Sequence, residues 1–480
     1  MKQFIRARRT LMVLLAAVML LACTVGLHNL GAAAAANYTV ASGSILENVP
    51  LYTYEGTYVQ TYDMSADGQY YEADGTTKFS TPVTDALGGG EMLVFKSVSS
   101  AAAMEQYEND LEEAGYMLYA ENDLGGNLYA TWVTDEYVVT LTYLPNWSQF
   151  NILVEPMRAL PGLEEENVYK NLEVDNKVIL LTCGYIGNAN GMCVIYQLCD
   201  GSFIIEDSGY GYGYHTKAGY EDYWQNQAKE IYSTLEKLAK ESGVNDIVIA
   251  AWFFSHPHWD HIGGFIPFAD LYADQVKLEK VIFNWPNYDT LQQMIVNPGQ
   301  KMNHYIDVIE ESVEKFDGAD IVESHAGQTY YIRDAVIDVL CTWELQTEWS
   351  DSWVSVNEGN AISQILDIKL GSERIIMLGD SGISSTATTE QLYSADFLEA
   401  DFLQVAHHGY NGSFTKNLNE MVNPDVVLWP NDTLSSANLA KNFAEIPEEI
   451  YYHNRQITVI PLPYTGEENV EYWSRVYPVK

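Results

Sequence analysis

The sequence predicts a mixed α/β (α+β) chain in two parts: a small α+β domain over residues 37–160 and a larger domain over 161–480, behind an export segment at 1–36. Three observations predict it. Ile247 to Phe254 is an unbroken apolar run, as expected of a strand buried on both faces. Glu221 to Ser242 is a long amphipathic stretch with Ile231, Leu235 and Leu238 on one face and Gly243 as its stop. Residues 92–154 read as a strand, a helix and a three-stranded meander, and none of the ten histidines of the chain lies between 37 and 160.

Taken in order, Lys2, Arg6, Arg8 and Arg9 precede an almost wholly apolar Leu11–Leu27 and the small residues Gly31–Ala36. This is the layout of a secretory signal cleaved after Ala36. Leu20-Leu21-Ala22-Cys23 offers a lipidated Cys23 instead, and a retained membrane anchor is the third reading. Each places the remainder outside the cytoplasm, extracellular or on the cell surface. Residues 37–85, rich in Tyr, Thr, Gly and Asp, read as exposed strands or irregular chain. Met92–Phe95 reads as a strand and Ser99–Ala114 as a helix capped by Ser99 or Ser100 and ended by Gly115. Leu128–Val133, Tyr137–Tyr143 and Phe150–Val154 follow as strands, and Pro161-Gly162 with Glu164–Glu166 as a linker. Val178–Thr182, Met192–Leu198 and Phe203–Glu206 open the larger domain as apolar strands between Gly and Asn turns.

Composition narrows the function. Lys+Arg is 25 against Asp+Glu 66 in 480 residues, a formal charge of −41 that would become −45 with loss of the four basic residues of the leader. Sequence-independent binding to nucleic acid runs on Lys and Arg neutralising phosphates, and docking on anionic lipid needs basic patches, so both are disfavoured. Five cysteines are too few for a disulfide scaffold, and the pairing of Cys183, Cys193, Cys199 and Cys341 stays open.

The chemistry is concentrated after the Ile247–Phe254 strand. Ser255-His256-Pro257-His258-Trp259-Asp260-His261-Ile262-Gly263-Gly264 places three imidazoles and a carboxylate within six residues at a point where the chain must turn. Imidazole plus carboxylate is a ligand set for one or two divalent ions, zinc first, with manganese or iron as alternatives. Two later strand ends fit the same site: Arg374–Leu378 followed by Gly379-Asp380, and Phe402–Ala406 followed by His407-His408-Gly409-Tyr410-Asn411-Gly412-Ser413.

The order Asp207-Ser208-Gly209, HxHxDH-Ile-Gly-Gly, Gly-Asp, His-His-Gly resembles the metallo-β-lactamase fold superfamily, and within it the branch of the hydrolase domain of ComEC-type competence proteins. The resemblance covers about residues 175–480 and leaves the N-terminal domain aside. It implies a four-layer αββα sandwich with metals at one edge of two sheets. It implies His256 and His258 on one metal, Asp260, His261 and His407 on a second, Asp380 bridging, and Asp207 ordering the loop beneath. A further histidine of the wider superfamily is replaced here by Asn360 in Asn357-Glu358-Gly359-Asn360-Ala361-Ile362-Ser363, the form of ComEC-like members, which implies a loosely held first metal or a single one. His304, His325 and His215 read as structural or surface residues.

The expected activity is that of a metal-dependent hydrolase, most simply a phosphodiesterase whose nucleophile is a metal-bound hydroxide oriented by Asp260. His408, Tyr410 or Ser413 would donate to a substrate oxygen. The expected partner is a small-molecule or cell-wall-type substrate, with DNA implied by the family and opposed by the charge, and a membrane only through the N-terminal segment. Trp252, Trp259, Trp285 and Trp343 are candidates for an aromatic cage around a cationic substrate end. A hydrolase of carboxylic esters, thioesters or lactones is the alternative reaction. A surface binding protein with a degenerate metal site is the alternative class.

Overall fold

A computed structural model describes residues 38–40, 42–63, 70–71, 89–163, 173–185, 188–212, 223–285, 305–345, 360–410, 416–454 and 456–477. The expected leader over 1–36 with Cys23, the linker Glu164–Glu166, His215, His304, Asn357–Gly359 and Ser413 lie outside the described residues. Among the described residues no helix is long and apolar enough to cross a membrane. The expected contact with a membrane through the N-terminal segment is corrected on that finding.

The architecture is mixed α/β and consistent with the expected sandwich. One nine-stranded sheet runs from Asp320–Glu323 through Lys280–Phe283, Ile247–Phe253, Phe203–Glu206, Val194–Gln197, Lys177–Leu180 and Gln456–Pro461 to Glu471–Ser474, with Val276–Leu278 beside Ile247–Phe253. A seven-stranded sheet runs Thr329–Ile332, Ala335–Cys341, Ile365–Leu370, Glu373–Met377, Phe402–Gln404, Val426–Trp429 and Glu449–Tyr452. Alternate residues of both sheets, such as Leu180, Tyr196, Ile337, Ile368 and Met377, form one apolar layer between them. The other face of the nine-stranded sheet packs against the helices Asn226–Glu241, Phe265–Tyr272 and Tyr305–Val313. The other face of the seven-stranded sheet packs against Ile383–Leu392, Ala395–Leu398 and Lys416–Val422. Ile247–Phe253 is buried at every position, because parallel neighbours flank it and each face is covered.

A third, antiparallel sheet comes from the N-terminal part, in the order Tyr70–Tyr71, Thr57–Asp63, Glu91–Lys96, Gln149–Pro156, Tyr137–Leu144, Asn127–Val133, Met117–Leu124. Its helix spans Ala102–Glu113, with the Ala102 N–H donating to Ser100 Oγ at 3.1 Å. This sheet shares core with the rest: Met92, Val94 and Leu153 join the core of the nine-stranded sheet, and Leu124, Tyr129 and Leu144 that of the seven-stranded sheet. Where the chain leaves Gln149–Pro156, Ala159 pairs in parallel with Val322 at the edge of the nine-stranded sheet. The four described cysteines are free thiols.

Candidate metal centre

The centre is assembled from strand ends on one edge of the two facing sheets. After Ile247–Phe253 the chain turns through Ser255 and enters the short helix Trp259–Ile262. The turn Asp207-Ser208-Gly209, after Phe203–Glu206, is stitched to it: Ser208 Oγ donates to the His261 carbonyl at 2.7 Å, and Gly264 N donates to the Gly209 carbonyl at 2.9 Å. A Cβ on Gly264 would sit 2.2 Å from the Ser208 carbonyl oxygen, so only glycine permits that approach. On the facing sheet, Gln404 Oε1 accepts from the N–H groups of Leu378 and Gly379 at 2.9 and 2.7 Å and presents Asp380. His407 N donates to the Gly379 carbonyl at 3.1 Å. His407, His408 and Gly409 are then left-handed in succession, at φ 48°, 54° and 70°. Two of the three are not glycine, at a cost of roughly 1–2 kcal/mol each. At Gly409 a Cβ would fall 2.2 Å from the Trp429 indole. The strained turn is how two adjacent imidazoles reach one site.

The donor atoms group in two clusters around Asp380. In the first, Nε2 of His408 lies 3.3 Å from Asp260 Oδ2 and 3.3 Å from Asp380 Oδ2, and Nε2 of His261 lies 3.2 Å from Asp380 Oδ2. In the second, Nε2 of His256 lies 2.8 Å from Nδ1 of His258 and 3.9 Å from Asp380 Oδ2. Ligands on a tetrahedral zinc with bonds of about 2.0–2.1 Å stand about 3.3 Å apart, which is the spacing of the first cluster. That cluster is buried, with Asp260 the most accessible member at 9%.

The far side of each ring decides what its near side can do. Nδ1 of His261 faces Asp207 Oδ2 at 2.5 Å, and Nδ1 of His408 faces the Pro430 carbonyl at 2.9 Å. A carboxylate and a carbonyl only accept, so both Nδ1 atoms carry protons and turn Nε2 inward as the site for a lone pair. Ser255 Oγ donates to Asp207 Oδ2 at 2.7 Å and lies 3.0 Å from His256 Nδ1, which orders the third ring the same way. Nε2 of His261, Nε2 of His408 and Oδ1 of Asp380 are buried without a hydrogen bond to protein. Buried polar atoms left bare in this way, converging at ligand spacing, fit a divalent metal.

Charge agrees. Burial alone would raise Asp380, but the imidazoles of His261 and His408 hold it well below the usual carboxylate range. Burial alone would lower His261, but Asp380 and Asp207 hold it well above the usual range. Burial works against the His408 charge as well, and Asp380 and Asp260 push it up to about 9. Burial and the neighbouring His261 push His256 well down. A metal must therefore displace a proton from each of His261 and His408 at neutral pH. Zinc affinity is expected to rise by up to about a hundredfold per pH unit between pH 7 and 9 for those two protons. Competition against a chromophoric chelator checks this, and an affinity flat over that range would contradict it.

The placement exchanges the two tandem histidines relative to expectation. His408, expected as a donor to substrate, lies within the Asp260–His261–Asp380 cluster, whereas His407, expected as the ligand there, stands outside it. Nε2 of His407 is 3.9 Å from Asp380 Oδ2 and 3.2 Å from Nδ2 of Asn360, and a quarter of its side chain is exposed. The backbone handedness of the turn sets which ring faces in, and no residue pattern carries that. Asn360 stands beside His407 and keeps a buried Oδ1 without a hydrogen bond to protein. The aromatic cage is not formed by the four tryptophans: Trp252, Trp285 and Trp343 are fully buried core, and Trp259, exposed at the mouth, meets Tyr210 edge-on at 5.5 Å. Sequence reading passed over Ser255, Gln404 and Pro430; only Ser255, adjacent to the motif, offered a signal.

A third cluster lies apart, at the N-terminal sheet. His325 Nε2 is 3.0 Å from Glu155, its Nδ1 is 3.1 Å from Glu344, and Arg158 binds Glu323 and Glu155. Each ring nitrogen faces a carboxylate, so the imidazole is charged, and with Arg158 present the cluster is an ion-pair network. This agrees with a structural reading of His325.

Residues 218–428 match the model of the metallo-beta-lactamase superfamily. Among solved structures, the chain is similar to the metallo-beta-lactamase fold protein YhfI from Bacillus subtilis (13% identity, 58% of this chain and 96% of that one, TM-score 0.33). It is similar to CmlA, a diiron beta-hydroxylase from Streptomyces venezuelae (11%, 53% and 44%, TM-score 0.29). It is also similar to Zn(2+)-bound PqqB from Methylobacterium extorquens (9%, 48% and 71%, TM-score 0.27). No curated protein matches. The fold of the metallo-β-lactamase superfamily is supported, and with the clusters it supports a metal-dependent hydrolase in general terms.

Proposed function

We propose that this chain, with its metallo-β-lactamase superfamily fold, is a phosphodiesterase of the ComEC-like branch, acting on a small phosphodiester. The observation that carries the reading is Asp380 Oδ2, which stands 3.2 and 3.3 Å from the inward nitrogens of His261 and His408 and 3.9 Å from that of His256. One carboxylate oxygen thus faces two donor sets, an arrangement suited to holding two cations against an in-line displacement at phosphorus. Asp260, His261, Asp380 and His408 would hold one metal, zinc by the donor chemistry, and His256, His258 and Asp380 a second. When bound there, a divalent metal would supply Lewis acidity for activating water at neutral pH and for offsetting charge on the phosphoryl oxygens.

The protein's own groups do the positioning. Asp207, Ser255 and Pro430 lock the imidazole orientations, so no reorganisation is needed when substrate arrives. With His408 inside the donor set, donation to a substrate oxygen falls to Tyr410 or Ser413; the Tyr410 ring is 5.8 Å from His407 and 6.1 Å from His408. A charge of −41 favours a small substrate over a long polyanion. Export is part of the proposal and rests on the leader-like residues 1–36.

The test is hydrolysis of bis(p-nitrophenyl) phosphate by residues 37–480, after chelation and with zinc, manganese or iron(II) returned. Turnover that depends on the metal and disappears in His258→Ala supports a phosphodiesterase. Turnover of thioesters or lactones alone would replace the substrate class. Tight metal binding with no turnover on any of these would favour a binding protein.

A further inference from the structure

Three strand ends meet behind the metal centre, and one buried amide joins them. Gln364 opens the Ile365–Leu370 strand of the seven-stranded sheet and is fully buried. Its backbone N–H donates to the Ser255 carbonyl at 3.0 Å, and its side-chain Nε2 donates to the Phe254 carbonyl at 2.8 Å. Both acceptors lie at the end of the Ile247–Phe253 strand, in the other sheet. Its Oε1 accepts from Ser324 Oγ at 2.8 Å, just beyond the Asp320–Glu323 strand. Phe254 and Ser255 are the step between the strand and His256. Ser255 N donates to Asp207 Oδ1 at 2.8 Å, and its hydroxyl orders both Asp207 and His256.

We infer that Gln364 is a positioning residue for the metal centre: it fixes the Phe254–Ser255 turn, and through that turn the orientation of His256 and His261. It touches neither metal donors nor substrate. A side chain without an amide would leave the Phe254 carbonyl and the Ser324 hydroxyl buried and unpaired, and the turn held only by its backbone bonds and by Asp207. Outer-shell partners that orient ligands commonly change metal affinity by about 10–100-fold when removed. The Ser324 end extends the same lock toward the N-terminal sheet, because the next residue, His325, is held between Glu155 and Glu344. The inference rests on the reading that the cluster of Asp260, His261, Asp380 and His408 binds a divalent metal, and does not depend on the reaction catalysed.

Cobalt(II) is the probe, read by chelator competition and by its visible absorption, which reports ligand geometry rather than stability. In the full chain, Gln364→Met is expected to weaken cobalt(II) binding at least about tenfold and to shift the absorption envelope. A folded Gln364→Met with unchanged affinity and spectrum overturns the inference. Should that variant fail to unfold cooperatively, Ser324→Ala decides, since it removes only the outer bond: a shifted spectrum or a severalfold weaker affinity supports positioning, and identity with the parent overturns it. A parent that binds cobalt(II) but hydrolyses no phosphodiester defeats the proposed reaction and leaves this test intact. A parent that binds none defeats both.

Discussion

Asp380→Asn is expected to abolish measurable binding of a second metal, to weaken the first, and to lower hydrolytic turnover more than about a thousandfold, or roughly 4 kcal/mol in the barrier. The side chain keeps its shape, so the loss isolates the charge. Asp380 Oδ2 is the one atom that both donor sets share, and its partner oxygen Oδ1 is buried without a hydrogen bond. Removing the carboxylate also removes the counter-charge that holds His261 and His408 protonated in the absence of metal. Metal content by mass spectrometry of the native protein, beside steady-state rates, checks both halves. A variant that retained two metals and turned over within tenfold of the parent would show that Asp380 does not bridge.

The second large effect is on stability. His325→Ala is expected to cost about 3–5 kcal/mol, because it strands Glu344 as a buried carboxylate without its cation and leaves Glu155 only Arg158, 3.4 Å away. The pH dependence has a defined sign. Burial opposes the His325 charge, but Glu344 and Glu155 raise the group well above its ordinary 6.5. Its contribution is therefore complete below pH 6.5 and is lost as pH rises through the folded value. Glu155 is raised by burial but lowered more by His325 and Arg158, to below its ordinary 4.5. Its contribution is complete above pH 4.5 and is lost as pH falls through the folded value. The gap between parent and variant should be widest from about pH 4.5 to 6.5 and narrow in alkali. Urea unfolding followed by tryptophan fluorescence across that range measures it, and equal midpoints at pH 6 would dismiss the pairings as incidental.

What could be read from the sequence was what local chemistry carries. The Ile247–Phe253 strand announced itself by eight consecutive apolar residues, one more than the strand contains, and the histidines after it by their density. Asp207 and Asp380 were legible because each ends an apolar strand. Which of His407 and His408 turns inward was not legible, since that follows from three consecutive left-handed residues held by the Gly379 carbonyl and the Trp429 indole. The Met117–Leu124 strand escaped because it is an edge strand in which only Leu124 is buried, so no apolar alternation marks it. The Glu155–His325–Glu344 group escaped for a different reason: its members come from the N-terminal sheet and two later loops, and only the docking of that sheet makes them neighbours. The tryptophans misled because bulk aromatic residues near a motif look the same in sequence whether they line a mouth or fill a core.

The parallel pairing of Ala159 with Val322 bears on how the molecule avoids its own kind. Asp320–Glu323 is an outermost strand, and an unguarded outermost strand offers its free amides and carbonyls to any extended chain, the usual beginning of filament growth. Here the chain's own continuation occupies that rim, and Arg158 fastens it to Glu323 beside the contact. The segment leading out of the N-terminal sheet thus serves as a selvage, closing the fabric on the side where another copy would otherwise be woven in.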